Sequence, residues 1–147
     1  MRINNYIFFL FFVCFISSCY PKPKIPISNT LEIALDKHYS HYVRLLNGAM
    51  DSDSVALSNF LKINNIYDAA GYDHGWILIK IMKEVGDEKF STILASLNTD
   101  QISNVKDYFR VGMMGEGNSN DTIATHFSKT FHYLRFSDSE IKILKYY

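Results

Sequence analysis

His74-Gly75-Trp76-Ile77-Leu78-Ile79-Lys80-Ile81-Met82-Lys83-Glu84-Val85-Gly86 is the most apolar stretch beyond the first 20 residues, and its reading decides the fold. A short continuous apolar run such as Ile77 to Ile81 fits a buried strand or a buried helix equally well. Two features select the helix. Ile77, Ile81 and Val85 recur at a spacing of four, with Leu78 and Met82 beside them, which makes one wide stripe. Gly86 then stands where a helix-ending glycine belongs. A helix over 74–85 with so broad an apolar stripe must be covered by other helices, so it is expected at the centre.

Upstream, Leu31, Leu35, His38, Tyr42, Leu45 and Ala49 lie three and four apart and predict one helix over 30–50. Asn29 with Glu32 reads as its capping box. Asp51 to Asp53 supplies a turn and a new N-cap. A short helix over 53–62 follows, with Val55, Leu57, Phe60 and Leu61 inward, and Asn64-Asn65 stops it. Residues 66–75 hold two glycines and several aromatics and read as irregular.

Downstream, Asp87 caps a helix to about 97, with Phe90, Ile93, Leu94 and Leu97 inward. Asn98 with Gln101 caps another to about 113, with Ile102, Val105, Phe109 and Met113 on one face. A glycine-rich loop over 112–120 precedes a helix over 120–131 carrying Ile123, Phe127 and Phe131. Ser137 to Glu140 forms a capping box for a last helix to about 145. The expected fold is all-α: residues 29–147 as a compact bundle of six to seven short helices. Short connections favour antiparallel neighbours, and the spacing of the apolar series resembles HEAT-type helical hairpins.

The composition supports a globular domain, at 48% hydrophobic and 20% charged over 147 residues. Basic and acidic residues number 15 each, and loss of Arg2 with the leader described below leaves 14 basic against 15 acidic. No excess positive charge supports nucleic-acid binding, and there is no polybasic case for anionic lipid.

Met1 to Asn5 carries one positive charge, and Tyr6 to Ile16 is an uncharged run of 11 residues. That run is too short for a membrane span, which needs about 20 apolar residues, and suits the apolar region of a secretory signal. Ile16-Ser17-Ser18-Cys19 follows. This resembles the lipobox of bacterial lipoproteins: a branched apolar residue, two small ones, then cysteine. The resemblance implies a signal peptide over 1–18, cleavage before Cys19, and a lipid on the Cys19 sulfur that ties the protein to the membrane of the cell envelope. In a Gram-negative cell, Tyr20 after the cysteine fits sorting to the outer membrane, facing the periplasm. Cys14 leaves with the signal and Cys19 is lipidated, so no thiol or disulfide remains for folding. All three prolines fall in Tyr20 to Pro26, which makes 19–28 an extended tether.

The candidate sites in the domain are few. His38 and His41 share a helix at a metal-compatible spacing, but His38 falls on the apolar face and reads better as a packed histidine. Asp51-Ser52-Asp53-Ser54 begins like a calcium loop, but Val55 and Ala56 break the pattern. Helix capping is the preferred reading there. The densest polar-aromatic segment, Tyr67 to Trp76, holds the only tryptophan; Tyr67, Tyr72, Asp73, His74 and Trp76, with the 112–120 loop, are the expected binding surface. Glu116, between Gly115 and Gly117, is the one candidate general acid for glycan cleavage, with Asp121 as the nearest second carboxylate. No H-E-x-x-H, phosphate-binding or dinucleotide-binding motif is present. No metal or cofactor is therefore expected. The sequence points to a lipid-anchored, non-enzymatic binding module of the envelope with a protein partner, one version being an immunity protein that blocks a delivered toxin. The alternative is a wall-glycan enzyme using Glu116.

Overall fold

In the computed structural model, which describes residues 21–114 and 120–143, every regular element is a helix. The expectations for the signal over 1–18, for Cys19 and for Glu116 lie outside the described residues, as does the side chain of Asp121. In chain order the helices are α1 (Asn29–Leu35), a 3-10 turn (Asp36–His38), α2 (Tyr39–Met50), α3 (Ser54–Leu61), α4 (Asp68–Val85), α5 (Asp87–Ala95), α6 (Thr99–Met113), α7 (Asn120–His126), α8 (Ser128–Tyr133) and α9 (Asp138–Ile143). The chain is an all-α bundle, as expected. Among the described residues no helix is long and apolar enough to cross a membrane.

The apolar stretch forms the central helix. Ile77, Leu78, Ile79, Ile81 and Met82 of α4 are all buried. α4 packs most extensively on α6 and also touches α1, α2 and α5, while α2 pairs with α3 and α5 with α8. Gly86, at φ 83°, ends α4 in a conformation that other residues adopt only with strain.

Six sequence expectations are corrected by the structure. The helix over 30–50 is broken at Asp36, whose φ of 45° ends α1. Asp tolerates positive φ better than most residues, and the break lets α1 and α2 take different neighbours. His38 is exposed in the 3-10 turn rather than on the apolar face. Ser28, not Asn29, caps α1, accepting the Leu31 N–H at 3.1 Å. In α3, Val55 points outward and Ala56 takes the inward place beside Leu57, Phe60 and Leu61.

The remaining two corrections concern longer segments. The stretch over 66–75 is helical from Asp68 onward, so α4 has 18 residues. Asp87 opens α5 but caps a different helix: its carboxylate accepts the N–H groups of Lys129 and Thr130 at 3.0 and 2.8 Å. Phe127, which precedes α8, has no side chain able to do this. The capping boxes at Asn98/Gln101 and Ser137/Glu140 form as read from the sequence.

The two glycines that made 66–75 look irregular are contact residues. A Cβ on Gly75 would lie 2.1 Å from the Tyr108 carbonyl oxygen, and one on Gly112 would lie 2.3 Å from the Gly75 carbonyl carbon. The α4 and α6 backbones therefore meet at a point that admits no side chain.

The segment 22–28, which bends at Lys24 and Ile25, lies along the domain and is fastened to it. The side-chain amide of Asn47 donates to the Lys22 carbonyl at 2.9 Å and accepts the Lys24 N–H at 2.8 Å, pairing with the chain as a neighbouring strand would. Lys24 pairs with Asp51, and Ser28 donates to the Asp73 carboxylate. Ile25 is buried in the core, which contributes about 1.5–3 kcal/mol.

Gly75→Ala and Gly112→Ala each gain roughly 1 kcal/mol of helix propensity but force two backbones apart. Each is expected to lower the unfolding free energy by about 2 kcal/mol net, measured by urea denaturation. Unchanged midpoints would show that the crossing can open without cost.

Candidate functional site

The turn between α3 and α4 is held open by one hydroxyl. Tyr108 of α6 donates to the Ile66 carbonyl at 3.2 Å and accepts the Ile66 N–H at 3.1 Å. Gly71 allows this approach, since a Cβ there would sit 3.1 Å from the Ile66 oxygen. On either side of Ile66, Asn65 and Asp68 take positive φ (64° and 54°). The result is a surface groove of about 530 Å³ between this turn and α6. Tyr67 and Tyr72 stand on its rim, 69% and 50% exposed. Asn64, Asn65 and Asn104 supply amides, and Asp107 with Arg110, paired at 3.1 Å, supplies charge of both signs.

These groups suit recognition. Two rigid aromatic rings offer contact area at low entropy cost, and neighbouring amides and charges offer adaptable hydrogen bonds. Tyr67 is itself held by a 2.8 Å bond from its hydroxyl to the Asn65 side chain.

Beneath the groove lies a buried polar cluster. His74, 1% exposed, shares a 2.9 Å hydrogen bond between its Nδ1 and the Tyr42 hydroxyl. Its ring stands perpendicular to Tyr108 at 4.6 Å and tilts against Phe60 at 5.3 Å. Burial pushes the His74 imidazole down to about 3, so it is neutral at physiological pH. Burial likewise raises the Tyr42 hydroxyl well above its ordinary value, with smaller contributions from Tyr108 and Asp73. Both groups are held in their neutral, hydrogen-bonding forms.

The five residues read as one surface are distributed by the helix. Tyr67 and Tyr72 share the groove. Asp73 is engaged by Ser28, and His74 belongs to the core. Trp76 lies one turn beyond Tyr72, half-buried, in a separate shallow groove with Lys24, Pro26 and Lys80, whose ammonium sits 4.8 Å from the indole. His38 and His41 both border an apolar groove of about 360 Å³ beside α1. No third ligand joins them: among the described residues no group of three His, Cys, Asp or Glu comes together. The α6 side of the site, Asn104, Asp107, Tyr108 and Arg110, was missed by the sequence reading. Its only trace there is a polar-aromatic stripe opposite the apolar positions 102, 105, 109 and 113.

The buried histidine sets a pH dependence. Its ordinary pKa of 6.5 holds in the unfolded chain, while the folded value is about 3. The unfolded state therefore binds a proton that the folded state does not, and stability is lost as pH falls below 6.5. The slope is about 1.4 kcal/mol per pH unit. Glu140, held down to about 2 chiefly by Lys106, begins to act only near the ordinary carboxylate value of 4.5 and adds little except at the lower edge of this window. Unfolding free energy is expected to drop by roughly 2–3 kcal/mol from pH 6.5 to 4.5. Most of that drop should vanish in the Tyr42→Phe/His74→Leu double variant, which removes both partners of the bond. An undiminished slope in that variant would assign the effect elsewhere. No family model, curated protein or solved structure matches this chain.

Proposed function

We propose that this protein is a non-enzymatic binding module of the bacterial envelope, held to the membrane by lipid on Cys19, and that it receives a protein partner in the groove between the α3–α4 turn and α6. The observation that carries this reading is the pair of exposed tyrosines over a groove of amides and one ion pair. Large apolar side chains left in water are informative when they flank a concave, hydrogen-bonding surface. Tyrosine is also among the residues that most often dominate binding energy.

An immunity role is the concrete form of the proposal. A protein that blocks a delivered toxin needs a rigid surface, a fixed address and no chemistry of its own. The lipobox Ile16-Ser17-Ser18-Cys19 supplies the address, and the buried Tyr42–His74–Tyr108 cluster under the groove supports rigidity.

Two measurements test the two halves separately. Cys19→Ser should remove the acyl mass and leave the signal over 1–18 uncleaved, because cleavage before residue 19 follows lipidation of the cysteine. An acylated variant, or one cleaved before residue 19 as the native chain is, would contradict lipid attachment at this residue. Tyr67→Ala/Tyr72→Ala should weaken capture of a partner from envelope extract by about tenfold or more. Thermal stability should stay unchanged, because both rings stand on the rim. Capture equal to that of the native chain would remove the groove from consideration.

A further inference from the structure

The fastened segment 22–28 fixes more than the start of the domain. We propose that the surface around it, comprising Lys22, Lys24, Pro26, Trp76, Lys80 and Lys83, is docked on the lipid headgroups of the bilayer, so that the start of α4, with the groove beside it, stands farther from the membrane than the Lys83–Glu84 end. This rests on the lipid attachment at Cys19 proposed above.

The argument begins with chain length. If residues 19–28 formed a free tether, nine residue steps would let the domain roam about 30 Å from the lipid. Asn47, however, holds the chain at Lys22 and Lys24 with two backbone hydrogen bonds, and Ile25 is buried behind them. Only three steps remain between Cys19 and Lys22, a reach of about 11 Å. A domain of this size has a radius of gyration of about 14 Å. A leash shorter than the body's own radius cannot let the body turn over, so the face that holds Lys22 is kept against the headgroups.

That face suits its position. Trp76, half-buried beside Lys24 and Pro26, is the residue type most at home between apolar and wet surroundings. Lys80 extends over its ring, and Lys83 follows one turn on. Lys24, Lys80 and Lys83 line this face with Glu84, Lys24 pairs with Asp51, and Lys22 is exposed at the start of the strap, a modest positive excess in a chain with none overall. That excess favours anionic headgroups without being strong enough to act alone.

The direction of the strap sets which end of α4 stands farther from the membrane. Lys24 lies near Lys83 and Glu84, at the C-terminal half of α4, and Ser28 reaches Asp73 nearer its start. The strap thus leads from the membrane end of α4 toward Tyr67 and Tyr72 at the other end.

The test uses the full, lipid-modified chain in vesicles of phosphatidylethanolamine and phosphatidylglycerol with a headgroup-borne quencher. Cys14 departs with the signal and Cys19 is acylated, so an introduced cysteine is the only site for a fluorophore. Glu84→Cys reports on the strap face and Asp107→Cys on the groove. Most of the emission at 84 should be lost and most at 107 retained. A long glycine–serine spacer between Tyr20 and Pro21 should make the two positions alike. Equal quenching in the native chain, stronger quenching at 107, or an asymmetry that the spacer leaves intact would overturn the proposal. The mass of the N-terminal peptide separates the two readings: a chain without acyl on Cys19 refutes the anchor and this proposal with it. An acylated chain with equal quenching refutes the orientation alone.

Discussion

The contact between Gly75 and Gly112 is the constraint on which the remaining structure depends. Each glycine weakens its own helix by about 1 kcal/mol relative to alanine, and each stands where a Cβ would overlap the opposite backbone. What the chain obtains is an approach of α4 and α6 that larger residues forbid. Gly71 and Tyr108 lie one turn before Gly75 and Gly112. At this separation the Tyr108 ring comes within 3.9 Å of where a Gly71 Cβ would be, and its hydroxyl reaches both backbone groups of Ile66. The turn that shapes the groove is thus set by a backbone contact elsewhere on the same two helices.

The same crossing makes a buried polar cluster tolerable. A buried imidazole or phenol without a partner costs about 1–3 kcal/mol. Tyr42 and His74 avoid this by bonding each other, with Phe60 and Tyr108 enclosing them. An apolar pair of the same shape would give similar stability, but it would not impose a direction. A 2.9 Å bond between α2 and α4 is lost by a small slide of either helix, whereas apolar contacts tolerate it. By contrast, Thr130 keeps a buried hydroxyl without a protein partner while its N–H is capped by Asp87. The α5–α8 junction is therefore less completely satisfied than the α2–α4 one.

Elements with a local signal were legible in the sequence. The apolar period of Ile77 to Val85, the Asn98/Gln101 box and the Ser137/Glu140 box each concern residues within a few positions, and each took the expected form. Features set by distant residues were not legible. Gly71 and Gly75 carry the same letters whether they break a helix or admit a neighbour, and only α6 tells which. Asp87 has the composition of a cap for the helix it opens, yet its carboxylate is used 42 and 43 residues away. In the candidate site, Tyr67 and Tyr72 could be found because exposed aromatics cluster in the sequence. Asn104, Asp107 and Arg110 could not, because the groove exists only between two helices.

The placement of Tyr67 to Trp76 also shows how a helix divides labour along a dense segment. Successive residues turn by about 100°, so Tyr72, Asp73 and His74 point in three different directions, while Trp76 follows Tyr72 on the same side one turn further along. Tyr67 and Tyr72 face the groove, Asp73 anchors Ser28, His74 enters the core, and Trp76 meets the strap. The rim tyrosines stand exposed, so of these residues they can be changed with the least effect on the fold. A helix of 18 residues, about 27 Å long, keeps the rim apart from the fastened end. The strap is secured beside its C-terminal half and the rim lies at its start, so the two features sit at opposite ends of one rigid element.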